Sequence, residues 1–223
     1  MFNGFTKETS DFLWELSFHN ERPWFLEHKA QFERCLNEPF KALGQETVKR
    51  MKERWPYADW QIHISRIYRD ARRLYGRGPY KDHLWFSIKD GGDYSHGIGF
   101  WFEVNAVTYL YGTGMYDLSP RQMDAFRRYI DANPARFERL AAEIERQGRF
   151  TVTGEEYKKP KGDRGEIINR WYNRKWVSLE RQADFGGDLL SPQLPELLIE
   201  DFERLMPIYE YFMEFYRAVR DLR

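Results

Sequence analysis

The sequence predicts an α+β fold, a central antiparallel β-sheet flanked by N-terminal and C-terminal helices. Three observations predict it. Apolar residues recur at helical spacing over the first fifty-odd residues, alternate with polar ones from Gln61 to Tyr116, and return to helical spacing after Ser119. Helices, then strands, then helices is the order of a segregated α+β domain rather than of βαβ units. The 223-residue chain reads as a single domain: 1–56 helical, 61–116 in antiparallel strands, and 119–223 helical with a short strand and a basic loop.

The first helix carries Phe12, Leu13 and Leu16 after a Thr9/Ser10 cap and stops at His19-Asn20. Pro23 suits the first turn of a second helix bearing Trp24, Phe25, His28, Phe32 and Cys35. Glu38-Pro39 restarts a third, with Phe40, Leu43, Val48 and Met51 inward, which Trp55-Pro56 ends. Strands follow at Ile62/Ile64, Leu84/Phe86/Ile88, Ile98/Phe100/Phe102/Val104 and Val107/Tyr109/Tyr111. Asp90-Gly91-Gly92-Asp93 and Asn105-Ala106 connect them, the second as a tight hairpin. Trp85, Trp101 and Leu110 occupy the alternate positions, so helices are expected over one face while the other is partly roofed or lines a cleft.

Ser119-Pro120-Arg121-Gln122 is a capping box with proline at the first helical position. Asn133-Pro134 opens the next helix and Gly148 closes it; a short strand, Phe150 to Thr153, precedes a basic loop and the aromatic segment Trp171 to Trp176. Pro195 begins a long C-terminal helix, expected to kink or break at Pro207, with Tyr209, Phe212, Phe215, Tyr216 and Val219 on its apolar side.

Composition narrows the function. The formal net charge is zero, with 35 basic and 35 acidic side chains, which argues against generic duplex-DNA binding. One cysteine, Cys35, excludes an internal disulfide, a cysteine zinc cluster and a CxxC redox pair, and its apolar helical face marks it as core. Neither a secretory signal nor an apolar run of membrane-spanning length is present, so the expected location is cytoplasmic and no membrane partner is expected. The histidines are scattered and no HExxH or GxSxG occurs, so no metal, cofactor or serine nucleophile is expected.

Charge concentrates in one stretch. Arg66 to His83 carries six Lys/Arg against two Asp. Cations packed so densely repel one another unless an anion sits among them. If one strand runs from Ile62 to Asp70, then Arg66 shares a face with two isoleucines and needs an anion, supplied by Asp70, by a neighbouring strand, or by a ligand phosphate or carboxylate. Arg69, Arg72, Arg73 and Arg77 outnumber Asp70 and Asp82, so some reach solvent. Gly76 and Gly78 permit a loop whose N–H groups form an anion nest, or merely a flexible connection, but not a nucleotide P-loop. Lys81 is a candidate for holding the anion; Tyr80 and His83 are the candidates for proton transfer, against the alternative that His83 is structural. Asp70, beside so many arginines, suits an orienting or charge-balancing role better than that of a base.

A second basic segment, 158–176, holds seven Lys/Arg against Asp163 and Glu166, interleaved with Trp171, Tyr172 and Trp176. Alternating cations and rings is how single strands are bound; the competing reading is an exposed basic loop leading into a helix whose Trp171 enters the core.

Several of these pieces together resemble one family, domain of unknown function 2461: Phe5, Phe12-Leu13 and Leu16, the Asn20…Trp24-Phe25 turn, Arg66-Ile67-Tyr68-Arg69-Asp70-Ala71-Arg72, Pro79-Tyr80-Lys81, Gly112-Thr113-Gly114-Met115-Tyr116 and Lys159-Pro160-Lys161-Gly162. Between the two halves of the basic motif the chain departs from the family pattern, with Arg73-Leu74-Tyr75-Gly76-Arg77-Gly78 where a Phe-Ser…Asp-Lys-like segment is expected. The resemblance implies an α+β fold and no particular activity.

The residues point first to a phosphate- or carboxylate-bearing small molecule bound by Arg66, Arg69, Asp70, Arg72, Tyr80, Lys81 and Lys161, without deciding whether it is turned over. Single-stranded nucleic acid binding through both basic segments is the second reading, and a structural or protein-interaction module the third.

Overall fold

The computed structural model describes residues 1–74, 76–91, 97–116 and 118–219. The side chain of Arg73, Tyr75, and the Gly92-Asp93 half of the expected connection lie outside the described residues. The fold is the α+β arrangement expected, with six antiparallel strands in the order β1-β2-β3-β4-β6-β5. These strands are β1 (Trp60–Ile64), β2 (His83–Asp90), β3 (Ile98–Asn105), β4 (Thr108–Met115), β5 (Thr151–Thr153) and β6 (Val177–Asp184). The helices are α1 (Lys7–Phe18), α2 (Arg22–Glu27), α3 (Lys29–Phe32), α4 (Glu38–Arg54), α5 (Pro120–Ala132), α6 (Pro134–Arg146), α7 (Glu166–Tyr172) and α8 (Leu194–Val219). By contact the chain divides into two compact units. The first comprises Met1–Asp90, Trp101–Tyr111 and Gln182–Glu200; the second comprises Gly91–Phe100, Gly112–Arg181 and Asp201–Arg223.

In the first unit, the cap of α1 lies three residues before the expected Thr9. Thr6 is the N-cap, its N–H donating to Thr9 Oγ1 at 3.3 Å, and Thr9 itself is buried. The Thr9 hydroxyl in turn donates to the Cys35 carbonyl at 2.6 Å. In α-helical register that carbonyl would accept from residue 39, which is proline and has no N–H. The expected restart at Glu38-Pro39 is accordingly not a new helix after a loop. A π-helical turn, Glu33–Asn37, carries α3 directly into α4.

Strand β1 pairs with β2 from Trp60↔Asp90 to Ile64↔Phe86. Leu84, Phe86 and Ile88 of β2 and Phe102 and Val104 of β3 are buried, and Phe86 stacks on Phe102 at 5.4 Å. Phe40 of α4 meets both, at 5.6 and 6.1 Å, so α4 covers this face. Each such side chain removed from water contributes about 1.5–3 kcal/mol. The alternate residues His83, Trp85, Trp101 and Glu103 are only partly covered and share the opposite face. Asn105 shapes the β3–β4 hairpin, its Oδ1 accepting from the N–H groups of Val107 and Thr108 at 2.8 Å.

In the second unit the Ser119 capping box forms as read, with Ser119 N–H on Gln122 Oε1 at 2.9 Å and Gln122 N–H on Ser119 Oγ at 3.3 Å. Asn133 caps α6 by accepting from the Arg136 N–H at 3.2 Å. Phe126 of α5 packs on Phe215 at 5.1 Å, and Phe137 of α6 packs on Trp171 and Tyr211 at 5.5 and 5.2 Å. Strand β6 is absent from the sequence expectation: Val177-Ser178-Leu179-Glu180 offers too short an alternation to announce itself. Helix α8 runs through Pro207 without breaking. No helix among the described residues is long and apolar enough to cross a membrane.

Candidate functional site

The basic motif is built around Asn20. Its side-chain amide faces the Tyr80 backbone and bonds to both its N–H and its carbonyl. Residues 66–69 run antiparallel to 79–81: Lys81 N–H donates to Ile67 O at 2.7 Å, Arg69 N–H to Pro79 O at 2.8 Å, and Tyr68 bridges Tyr80. Tyr80 is 2% exposed, its ring stacked on Phe25 at 4.1 Å. Burial, and next Tyr68, push its phenol above the ordinary range, against a smaller opposing pull from Arg22.

Three cations of the motif are committed to partners within it. Arg69, mostly buried, donates from Nε to Tyr80 O at 2.7 Å and from Nη2 to Asp82 Oδ1 at 3.3 Å. Asp70 caps the 3₁₀ turn Ala71–Arg73 and holds the Arg72 guanidinium with both oxygens, at 3.0 and 2.7 Å. Lys81 Nζ donates to Arg66 O at 2.7 Å and lies 5.8 Å from the centre of the Trp85 ring. Burial, then Arg69, hold its ammonium below the usual lysine range, although Glu103 pulls the other way. At the Gly76–Gly78 loop and just past it, Arg77 N–H donates to Leu74 O and Tyr80 N–H to Asn20.

Arg66 departs from expectation. Strand β1 ends at Ile64, and the inward positions shift by one, so that Ser65 and Ile67 are buried while Arg66 and Tyr68 are exposed. The shift is pinned by Ser65, whose N–H donates to Trp85 O at 2.8 Å and whose Oγ accepts from Trp85 N–H at 3.0 Å. Arg66 is therefore not desolvated beside the isoleucines.

A cleft opens instead on the partly covered face of the sheet, and His83 brings the motif to it. Its volume is about 350 Å³, bounded by Leu13, Trp14 and Ser17 of α1, by Asp82 and His83, by Glu103, and by the hairpin residues Asn105 to Val107. His83 Nδ1 sits 2.9 Å from Asp82 Oδ1, leaving Nε2 without a hydrogen-bond partner among the described residues. Burial alone would raise the Asp82 carboxyl, but His83, a backbone N–H and Arg69 hold it below the usual carboxylate range. Glu103 goes the opposite way. Burial, and after it the charge of Asp82, raise its carboxyl against the opposing pulls of His83 and Lys81. Among the described residues no hydrogen bond or ion pair reaches Glu103.

Glu103 is the residue that sequence reasoning missed. The apolar alternation of β3 masks it, yet a glutamate in mid-strand, in phase with Trp101, marks a sheet face that is not wholly covered. Lys161, by contrast, belongs to the second unit, exposed, with Nζ 4.5 Å from the Tyr157 ring centre. Around it Arg164 pairs with Asp131, Arg170 with Glu145 and Glu166, Arg174 with Glu156, and Lys175 with Glu155. Trp171 and Tyr172 are buried in that unit. Among the described residues no group of three His, Cys, Asp or Glu is placed to hold a metal ion.

The chain belongs to the family of conserved hypothetical proteins DUF2461, whose family model matches residues 8–211. No curated protein matches the chain.

Proposed function

We propose that this protein binds a small molecule in the cleft of the first unit, with the Asp82–His83 pair as its proton-handling element. The observation that carries this reading is the convergence of Asp82, His83 and Glu103 on one cavity bordered by apolar α1 side chains. Ligand pockets are usually concave sites in which a few polar groups converge beside apolar walls, and here Asp82, His83 and Glu103 stand beside Leu13, Trp14 and Val107. Asp82 engages one imidazole nitrogen and leaves the other for a ligand, an arrangement that orients a general acid or base.

This moves the site from the cations to the residues next to them. Arg69, Arg72 and Lys81 support the motif's own backbone and carboxylates, which gives less support to the reading of an arginine-lined anion grip, although Arg66 is exposed. Single-stranded nucleic acid has less support still, since the rings of Trp171 and Tyr172 are buried and most cations of 158–176 face carboxylates.

The test is a fragment screen followed by NMR of the His83 ring. Compounds that bind should move the His83 signals and the Val107 methyls while leaving Lys161 unmoved, and a His83→Ala variant should lose at least tenfold in affinity. Binders that perturb only Arg66 would return the site to the anion reading. A screen with no binder perturbing His83 would remove the cleft as a site.

A further inference from the structure

Resting on that cleft reading, we infer that the ligand is an organic cation: a protonated amine joined to an apolar or aromatic group. Charge and shape at the cleft carry this together. Among the described residues no lysine or arginine borders it, while two carboxylates do. Asp82 already serves Arg69 and His83, but the Glu103 carboxylate receives no hydrogen bond and no ion pair among the described residues. Lys81 and His83 act on it only across distance, and the Lys81 ammonium is held by the Arg66 carbonyl. A partly buried carboxylate without a donor is costly, and a ligand N–H group relieves that cost where an anionic ligand would add to it.

The remainder of the cleft suits the other end of such a molecule. Trp14 is 45% exposed, whereas Phe12, Leu13 and Leu16 of the same helix are buried. It borders the cleft together with Leu13 and Val107, and its ring stacks at 6.1 Å on Phe18, which is exposed too. An indole face offers both apolar area and favourable electrostatics to an ammonium. Ser17 and Asn105, also on the rim, supply uncharged polar groups. Glu103 would receive the ammonium, and Trp14 with Val107 the apolar group.

The experiment compares three probes of one shape and different charge: phenethylammonium, phenethyl alcohol and phenylpropionate, titrated at neutral pH with the His83 ring and Val107 methyls as NMR reporters. The expected order places the cation first, with affinity falling about tenfold or more in Glu103→Gln and falling also in Trp14→Ala. Equal or tighter binding of the alcohol or the carboxylate at these same signals overturns the cation inference and leaves the cleft reading standing. No perturbation of these signals by any of the three overturns the inference as well, and the wider fragment screen then decides the cleft reading separately. Because the ranking is read on the unmodified protein, a variant that failed to fold would not blunt it.

Discussion

The side-chain amide of Asn20 treats the Tyr80 backbone as a neighbouring strand would: Asn20 Nδ2 donates to Tyr80 O at 3.0 Å, and Tyr80 N–H donates to Asn20 Oδ1 at 2.9 Å. A residue at the end of α1 thereby supplies the pairing that the start of the Tyr80-Lys81 segment lacks. Gly78 is part of the same arrangement, since a Cβ there would overlap the Asn20 side chain and its carbonyl oxygen.

Asn20→Ala should therefore destabilise the protein by roughly 1–3 kcal/mol, the range for leaving a partly buried group such as the Tyr80 N–H unpaired, while the Tyr80 carbonyl keeps the Arg69 Nε donor. Asn20→Asp should restore it only in part, because a carboxylate can accept from the Tyr80 N–H but sets its second oxygen against the Tyr80 carbonyl. Gly78→Ala should destabilise too, and the double variant should cost less than the two single costs added together. Denaturant melts of the four proteins form the cycle; strict additivity would show that the two residues act separately.

Thr9 supports the helix that cannot support itself at Pro39. Removing the hydroxyl in Thr9→Val keeps the volume but leaves the Cys35 carbonyl without that donor, at a cost of about 1–3 kcal/mol. Thr9→Ser should stay near the parent. Equal melting of Thr9→Val and Thr9→Ser would refute the assignment.

Asp82 and Glu103 should shape the pH dependence of stability in opposite senses. The Asp82 carboxyl is lowered by folding, so its contribution is present above the ordinary carboxylate pKa and is lost as pH falls through the lower folded value. The Glu103 carboxyl is raised, so its contribution is present in acid and is lost as pH rises through the higher folded value. Glu103→Gln should accordingly raise the melting temperature at neutral pH, with the gain shrinking in acid. Asp82→Asn should lower it at neutral pH, modestly because Asp82 is largely exposed, and should flatten the acid limb. A Glu103→Gln variant that melted earlier than the parent at neutral pH would mean that this carboxylate has a partner in solution.

Within the second unit, Gly112 lets β4 pass close to β6. A Cβ on Gly112 would overlap the Leu179 carbonyl, and one on Gly114 would lie 2.7 Å from Val177 O. Gly112→Ala should cost about 1–3 kcal/mol, the range for overpacking, and should slow expression of folded protein. Hydrogen exchange read along Val177 to Arg181 checks it: protection there should fall first.

Much of this was legible in the chain. The period-two runs of β2 and β3, the Ser119 and Asn133 caps and the Asn105 hairpin are local features, where a side chain and its own backbone neighbours settle the outcome. Strand β6 was not legible, because its pairing with β4 depends on Gly112 and Gly114, more than sixty residues earlier. The one-residue shift at Ser65 was hidden for a similar reason: Trp85 on the neighbouring strand imposes it.

By itself the sequence determined the α+β order, the family, and the stretch in which polar chemistry is concentrated, since periodicity, caps and charge density are all written along the chain. Only the tertiary structure decided what those charges face. Arginine reaches far enough to find partners well beyond its neighbours, so Arg69 and Arg72 closed on Tyr80, Asp82 and Asp70 rather than on a shared hollow. Glu103 acquired its meaning in the same way, because a carboxylate becomes a binding group only when the surfaces around it remove its water and leave it without a donor.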